Sequence, residues 1–170
     1  YTFTSINTSH TIHVDFVQLN YTVTVNSGIH GSLSPSGSNI IPCGQNLSIT
    51  IVPDACYFIE DVIVDGVSQG PLSSYSFTNV TAPHSISAVF TQLTYPITTS
   101  SGPNGNVSPA GINTYGCGSS QEYFITPDPC YSVADVLIDG VSQGPVFSYM
   151  FADIESSHTI SATFVQQTYD

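Results

Sequence analysis

The stretch DVIVDGVSQGP at residues 61–71 returns almost unchanged as DVLIDGVSQGP at residues 135–145. In each copy an apolar, β-branched run precedes Asp-Gly, which is a strong turn signal because glycine takes a positive φ at no steric cost. Gly-Pro then interrupts the chain before the next apolar stretch. We therefore interpret each copy as a strand and the turn that connects it to the next strand. A ligand-binding loop is the competing interpretation of the same string.

The whole chain repeats with the period of this string. The two copies lie 74 residues apart, and at that spacing the chain aligns with itself without a gap and with nearly half of the positions identical. Residues 1–16 match residues 75–90 and 149–164, so we expect a third, partial repeat at the N-terminus. The sequence thus predicts three parts: the closing strand pair of a preceding repeat at 1–19, a first module at 20–94 and a second module at 95–170.

The local pattern of the repeat is that of β-strands. Apolar residues alternate with Ser and Thr in YTVTV (21–25) and LSITIV (47–52), and clusters of Gly, Pro, Asn and Asp bound each run. No segment shows a helical period. The fold class predicted is all-β: tandem, small, β-sandwich-like modules of about six short strands each, joined by a short connection near residues 92–95.

The charge composition excludes several partners. The chain has 170 residues with no Lys or Arg, twelve acidic residues and a formal net charge of −12. No basic surface exists to neutralise phosphates, so we expect no nucleic-acid partner and no binding to anionic membranes. No run of about 18 apolar residues is present, so we expect no membrane insertion.

Several motifs together resemble one repeat family. In the first repeat these are GSLSPSG, CGQNLSITIVPDACY, DVIVDGVSQG and SYSFTNVTAPHSISAVF; the second repeat carries matching versions. The arrangement is similar to the divergent InlB B-repeat family, and it covers nearly the whole chain. The resemblance implies small all-β modules strung in tandem in secreted and surface-attached bacterial proteins, where they act as spacers, stalks and adhesive arrays. It implies no catalytic residues and no cofactor.

The four cysteines recur as pairs thirteen residues apart. Cys43 and Cys56 in the first repeat correspond to Cys117 and Cys130 in the second. Within-repeat disulfides, Cys43–Cys56 and Cys117–Cys130, are the simplest prediction. A straight strand over 46–52 would hold the first pair apart, so a link between neighbouring repeats is the alternative. A four-cysteine zinc site is not expected because the CxxC spacing is absent.

The remaining polar residues are interpreted as structural. The histidines at one repeat position are expected to be turn or strand-entry residues rather than catalytic ones; they are His10, His84 and His158. The recurring acidic residues are expected to be solvated turn residues; a calcium site is the less favoured alternative, because their spacing matches no calcium loop. These acidic residues are Asp54, Asp61 and Asp65, and Asp128, Asp135 and Asp139. No motif such as G-x-S-x-G supports a catalytic triad, so we do not predict an enzyme.

Glycans are the one attached group that the sequence suggests. Five N-x-S/T sequons occur, at Asn7, Asn20, Asn46, Asn79 and Asn106. A glycan coat would help to solubilise a surface with few charges.

These features predict an extracellular structural protein. Paired cysteines favour an oxidising compartment, and tandem modules favour a fibre, stalk or adhesin in which copies or adjoining repeats meet head to tail. The alternative is a carbohydrate-binding or adhesive surface module, which the ten tyrosines would support if they formed a solvent-facing cluster.

Overall fold

The computed structural model describes residues 1–168, and within that range the chain forms strands and turns but no helix. Each repeat contributes eight strands. The first eight are β1 (Asn20–Asn26), β2 (Gly31–Ser34), β3 (Gly37–Pro42), β4 (Leu47–Pro53), β5 (Tyr57–Val64), β6 (Val67–Ser68), β7 (Ser74–Phe77) and β8 (His84–Gln92). The second eight are β9 (Thr94–Ser101), β10 (Gly105–Ser108), β11 (Ile112–Gly116), β12 (Gln121–Pro127), β13 (Tyr131–Ile138), β14 (Val141–Ser142), β15 (Ser148–Phe151) and β16 (His158–Gln166).

The strands of each module form two sheets. In the first module a five-stranded sheet has the order β3-β1-β8-β5-β6, and a three-stranded sheet has the order β2-β4-β7. The closing strand β8 lies inside the larger sheet, parallel to β1 and antiparallel to β5. The second module repeats both orders with β9–β16. The all-β class and the two-module organisation expected from the sequence are therefore confirmed.

Each module has its own hydrophobic core. Every second residue of these strands is apolar and points inward. Val23 and Val25 of β1 and Ile49 and Ile51 of β4 are therefore buried, and the threonine between each pair is more exposed. Ile86 of β8 adds to the same cluster. Full burial of one such side chain stabilises the fold by about 1.5–3 kcal/mol. The second module builds a separate cluster at the equivalent positions.

The repeated string DGVSQGP makes a turn rather than a ligand loop. Asp65 and Gly66 have φ values of 50° and 80°, and positive φ at both central residues is typical of a type I′ hairpin turn. Asp61 accepts hydrogen bonds at Oδ1 from the Ser68 hydroxyl (2.8 Å) and from the backbone N–H of Gly70 (2.9 Å). The second copy repeats these contacts through Asp135. Turn geometry therefore accounts for the identity of the two copies.

The N-terminal segment, residues 1–19, forms no strand in this chain. Its large apolar side chains are mostly exposed; Phe16 is 93% exposed and Ile6 is 66% exposed. In the complete repeats the equivalent residues form β7, which pairs with β4, and β8, which pairs with β1 and β5. Residues 1–19 have no such partner strands, because β1–β8 and β9–β16 each already contain their own closing pair.

Candidate functional site: the junction between the modules

The two modules are connected by a single residue. Strand β8 of the first module ends at Gln92, and strand β9 of the second begins at Thr94, so only Leu93 lies between them. This position falls within the stretch 92–95 where the sequence predicts a short connection. A linker of one residue leaves little room for the modules to reorient, so the contacts around Leu93 determine how they are joined.

The backbone of Leu93 is bonded to both modules. Its N–H donates to the carbonyl of Cys56 in the first module at 2.8 Å, and its carbonyl accepts from the N–H of Cys117 in the second, also at 2.8 Å. The side chain of Gln92 adds a third bond, from Nε2 to the carbonyl of Cys117 at 3.0 Å. A Cβ at Gly116 would lie 2.9 Å from Oε1 of Gln92, so a side chain there would displace the Gln92 side chain from this bond.

A disulfide bond links the same two cysteines across the junction. Cys56 and Cys117 are bonded with a Cα–Cα distance of 5.3 Å, inside the usual range. The predicted within-repeat bonds, Cys43–Cys56 and Cys117–Cys130, are therefore wrong, and the link between neighbouring repeats is the arrangement adopted. Strand β4 explains the error: it separates Cys43 from Cys56 and, at about 3.3 Å per residue, it extends about 20 Å.

The two remaining cysteines lie at the outer ends of the modules, at positions equivalent to those of the two bonded cysteines. Cys43 and Cys130 are exposed free cysteines. Cys43 corresponds to Cys117 at the repeat period, and its N–H donates to the carbonyl of Leu19 at 2.8 Å. Cys130 corresponds to Cys56, and its carbonyl accepts from the N–H of Gln167 at 2.8 Å. Each outer end therefore reproduces one half of the central junction.

A second recurring contact joins an aspartate to a histidine inside each module. Asp65 accepts at Oδ1 from the N–H of Ser85 at 2.7 Å, and its Oδ2 lies 2.7 Å from Nδ1 of His84. The hydrogen bonds from His84 and from Ser85 hold the pKa of Asp65 below its ordinary value. The imidazole ring also stacks on Phe77, with 4.9 Å between ring centroids. These contacts attach the turn after β5 to the start of β8.

The second module repeats this contact. Oδ2 of Asp139 lies 2.7 Å from Nδ1 of His158, and its Oδ1 accepts from the N–H of Thr159 at 2.7 Å. Burial alone would raise the pKa of Asp139, but the hydrogen bonds from His158 and Thr159 outweigh it and the pKa is lowered. His84 and His158 thus begin β8 and β16, as the sequence predicts, whereas His10 lies in the segment 1–19, which forms no strand.

The five sequon asparagines lie on the surface. All five side chains are exposed, and they are Asn7, Asn20, Asn46, Asn79 and Asn106. Asn46 also has a structural role, because its Oδ1 accepts from the backbone N–H of Asn79 at 2.8 Å. Their accessibility is compatible with attached glycans, which stay a prediction.

The tyrosines of the repeat are part of the cores. Tyr21, Tyr57 and Tyr75 are partly buried and pack against the first core, and Tyr95, Tyr115 and Tyr149 pack against the second. Tyr123 is fully buried; burial raises the pKa of its hydroxyl, which donates to the Tyr115 hydroxyl at 3.1 Å. These rings do not form the solvent-facing cluster that sugar stacking needs.

The described part of the chain has neither a ligand pocket nor a metal-binding cluster. Residues 1–168 contain no cavity of ligand size and no group of three or more His, Cys, Asp or Glu side chains placed to hold a metal ion. No helix capable of crossing a membrane occurs in that range. The inter-module junction is therefore the most developed candidate site on these residues.

These observations define a tandem repeat protein made of two small β-modules with a covalent link between them. The family comparison agrees: a model of the divergent InlB B-repeat domain matches residues 21–94. The first module therefore belongs to this family, which confirms the resemblance of its motifs. The second module repeats the same strand order 74 residues further on. Comparison with curated proteins gives no match, and comparison with solved structures gives none either.

Proposed function

We propose that the chain is a structural segment of an extracellular fibre, stalk or adhesin, in which copies follow one another head to tail. The observation that carries the proposal is the junction at Leu93, where a one-residue linker, two backbone hydrogen bonds and the Cys56–Cys117 disulfide fix one module to the next. A joint restrained in this way suits a spacer that transmits force or holds a distance.

The disulfide also supports an extracellular location. Disulfide bonds persist in oxidising compartments and are rare in the cytosol. The surface carries no Lys or Arg, so trypsin-like proteases have no cleavage site, which suits a long-lived extracellular object. The divergent InlB B-repeat domain that matches the first module is a repeat domain. A structural role of such repeats requires no enzyme activity.

The N-terminal segment supports contact with an adjoining subunit. Phe3, Ile6, Ile12, Val14 and Phe16 repeat the apolar pattern of a closing strand pair, yet all except Phe3 are strongly exposed. Exposed strand-forming segments pair readily with another chain. A neighbour at the N-terminal end would cover these side chains and extend the array without closing it, which is the geometry of a filament.

The carbohydrate-binding alternative has no structural observation in its favour, because the repeat tyrosines pack against the cores. A screen of the chain against immobilised polysaccharides would separate the two functions. Strong binding to one polysaccharide class would favour the alternative.

Small-angle X-ray scattering combined with electron microscopy tests the structural role. The oxidised chain should behave as a rigid two-module rod, and filaments of end-to-end subunits should form as its concentration rises. A double variant, Cys56→Ser with Cys117→Ser, is the matched control and should show a broader distribution of module–module distances. A chain that stays monomeric at all concentrations, with freely reorienting modules, would contradict the proposal.

A further inference from the structure

The outer cysteines are equivalent to the two that already form a bond. Cys130 has φ 69° and Cys56 has φ 66°, so the backbone at Cys130 already has the conformation of the bonded residue. Cys43 follows β3 and precedes Gly44 (φ 85°), as Cys117 follows β11 and precedes Gly118 (φ 79°). The two ends of the chain thus present complementary halves of one disulfide site.

We infer that Cys130 of one copy forms a disulfide bond with Cys43 of the next, so that successive copies are covalently joined in the same way as the two modules. This inference rests on the proposed head-to-tail array and identifies the contact that would hold it together. The partner is a second copy of this chain, since it offers a cysteine of matching position, backbone conformation and exposure.

The backbone around each outer cysteine favours this partner. Leu19, Leu93 and Gln167 are equivalent residues at the repeat period. At the central junction Leu93 bonds both cysteines, whereas Gln167 bonds Cys130 and Leu19 bonds Cys43 at the outer ends. When two copies meet, Leu19 of one copy and Gln167 of the other would compete for the position between the two cysteines that Leu93 occupies at the central junction. Leu19 can give way, because it is 65% exposed and precedes the first strand.

The bond forms by thiol–disulfide exchange. The thiols of Cys130 and Cys43 lose two protons and two electrons in total and form one S–S bond. A low-molecular-weight disulfide such as oxidised glutathione accepts both electrons and both protons, and it leaves as two thiols. The first exchange gives a mixed disulfide on one cysteine, and the thiolate of the second copy displaces the glutathione.

Two single variants separate specific pairing from random oxidation. Cys43→Ser keeps only Cys130 as a free thiol, and Cys130→Ser keeps only Cys43, while both retain the Cys56–Cys117 bond. Each exposed cysteine can be replaced without disturbing a core. The variants are mixed in equal amounts in a glutathione redox buffer, and the dimers are identified by mass spectrometry without reduction.

The expected result is a strong preference for the mixed dimer. Heterodimers joined through Cys130 and Cys43 should exceed either homodimer by about tenfold or more, the ratio that a preference of about 1.4 kcal/mol produces. The unsubstituted chain should give a ladder of covalent oligomers that collapses to monomer on reduction. Chymotrypsin suits the mapping because Leu47 lies between Cys43 and Cys56, and Tyr123 and Phe124 lie between Cys117 and Cys130.

Three results would overturn the inference: a purely statistical mixture of dimers, a chain that remains monomeric with both thiols unreacted, or peptides that link Cys43 to Cys56. Scattering from the fully reduced chain distinguishes this failure from failure of the proposed function. Head-to-tail filaments that form without a Cys130–Cys43 bond would remove the covalent link and leave the structural role intact.

Discussion

His84 and Asp65 form the contact that fastens the closing strand of the first module, with 2.7 Å between Nδ1 of the histidine and Oδ2 of the aspartate. The same contact, at the same distance, joins His158 to Asp139 in the second module. In both cases the aspartate is also the first residue of the turn after the preceding long strand. One aspartate therefore forms part of the turn through its backbone and fixes the start of the next central strand through its carboxylate.

This contact predicts an acid-sensitive stability. The pKa of Asp65 is lowered in the folded state from the ordinary value of 3.8. A carboxyl group with a lowered folded pKa stabilises the fold at pH values above the unfolded pKa, and the contribution disappears as the pH falls through the folded pKa. We expect Asp65→Asn to reduce the free energy of unfolding by about 1 kcal/mol at neutral pH, and the gap to the unsubstituted chain to close below pH 3.8.

Urea unfolding of both proteins across the acid range would measure this gap. Asp139→Asn is the matched variant in the second module and should behave similarly, because the pKa of Asp139 is lowered as well. A gap that stays constant down to the lowest pH at which the chain folds would contradict the assignment.

The disulfide predicts a coupling between the modules. Cys56 and Cys117 are 61 residues apart, and closing a loop of that size stabilises the folded chain by about 4 kcal/mol in the chain-entropy description. We expect Cys56→Ser with Cys117→Ser to lower the unfolding midpoint and to let the two modules unfold in separate transitions. Cys43→Ser, which removes an exposed free cysteine, should change the stability by less than about 0.5 kcal/mol.

Thiol labelling of the native chain provides an independent check on this pairing. Cys43 and Cys130 should react with an alkylating reagent, and Cys56 and Cys117 should react only after reduction. Protection of Cys43 in the native, unreduced monomer would show that a different bond is present.

Two glycines are expected to be intolerant of any side chain. A Cβ at Gly31 would overlap the ring of Phe90, and one at Gly105 would overlap the ring of Phe164. Crowding of this kind in a packed region costs about 1–3 kcal/mol. We therefore expect Gly31→Ala to destabilise the first module by that amount in thermal or urea unfolding.

Gly102 is the matched control for this prediction. A Cβ there would meet its nearest atom, the carbonyl oxygen of Ala162, at an ordinary distance of 3.5 Å. Gly102→Ala should change the stability by less than about 0.5 kcal/mol. If Gly31→Ala and Gly102→Ala lost equal amounts of stability, overlap with the Phe90 ring would not be the cause. Backbone freedom would then explain why glycine occurs at both Gly31 and Gly105.

The sequence predicts the local structure well because the relevant forces are local. Alternation of apolar and hydroxyl side chains marks the long strands, and Asp-Gly marks the turn at residues 65–66. Each module has eight strands, whereas the sequence predicts about six. Strand β6 is missed because it has only two residues, Val67 and Ser68, and they carry no alternating pattern. Strands β2 and β3 are counted as one in the prediction because only residues 35–36 separate them.

The pairing of distant elements is harder to predict. The parallel neighbour of β8 is β1, about sixty residues away in the chain, and the pattern within each strand does not specify it. The same holds for the disulfide: the recurrence of Cys43 and Cys56 indicates that the cysteines form bonds, but it does not specify which cysteines are paired. The strand that the alternating pattern predicts over 46–52 argues against the within-repeat pairing, but the sequence does not show which cysteines the folded chain brings together.

The exposed N-terminal segment should contribute little to the stability of the single chain. Since Ile6, Ile12, Val14 and Phe16 are each at least 60% exposed, deletion of residues 1–18 should remove few contacts from either core. We expect the truncated chain to keep its unfolding free energy to within about 0.5 kcal/mol, as measured by thermal unfolding and near-ultraviolet circular dichroism at low concentration.

Deletion of residues 149–168 is the matched control, because this segment has a sequence similar to that of residues 1–18 but forms β15 and the central strand β16. This second deletion should unfold the second module. A large loss of stability in the first truncation would show that residues 1–18 pack against their own chain, and it would remove the argument that an adjoining subunit covers them.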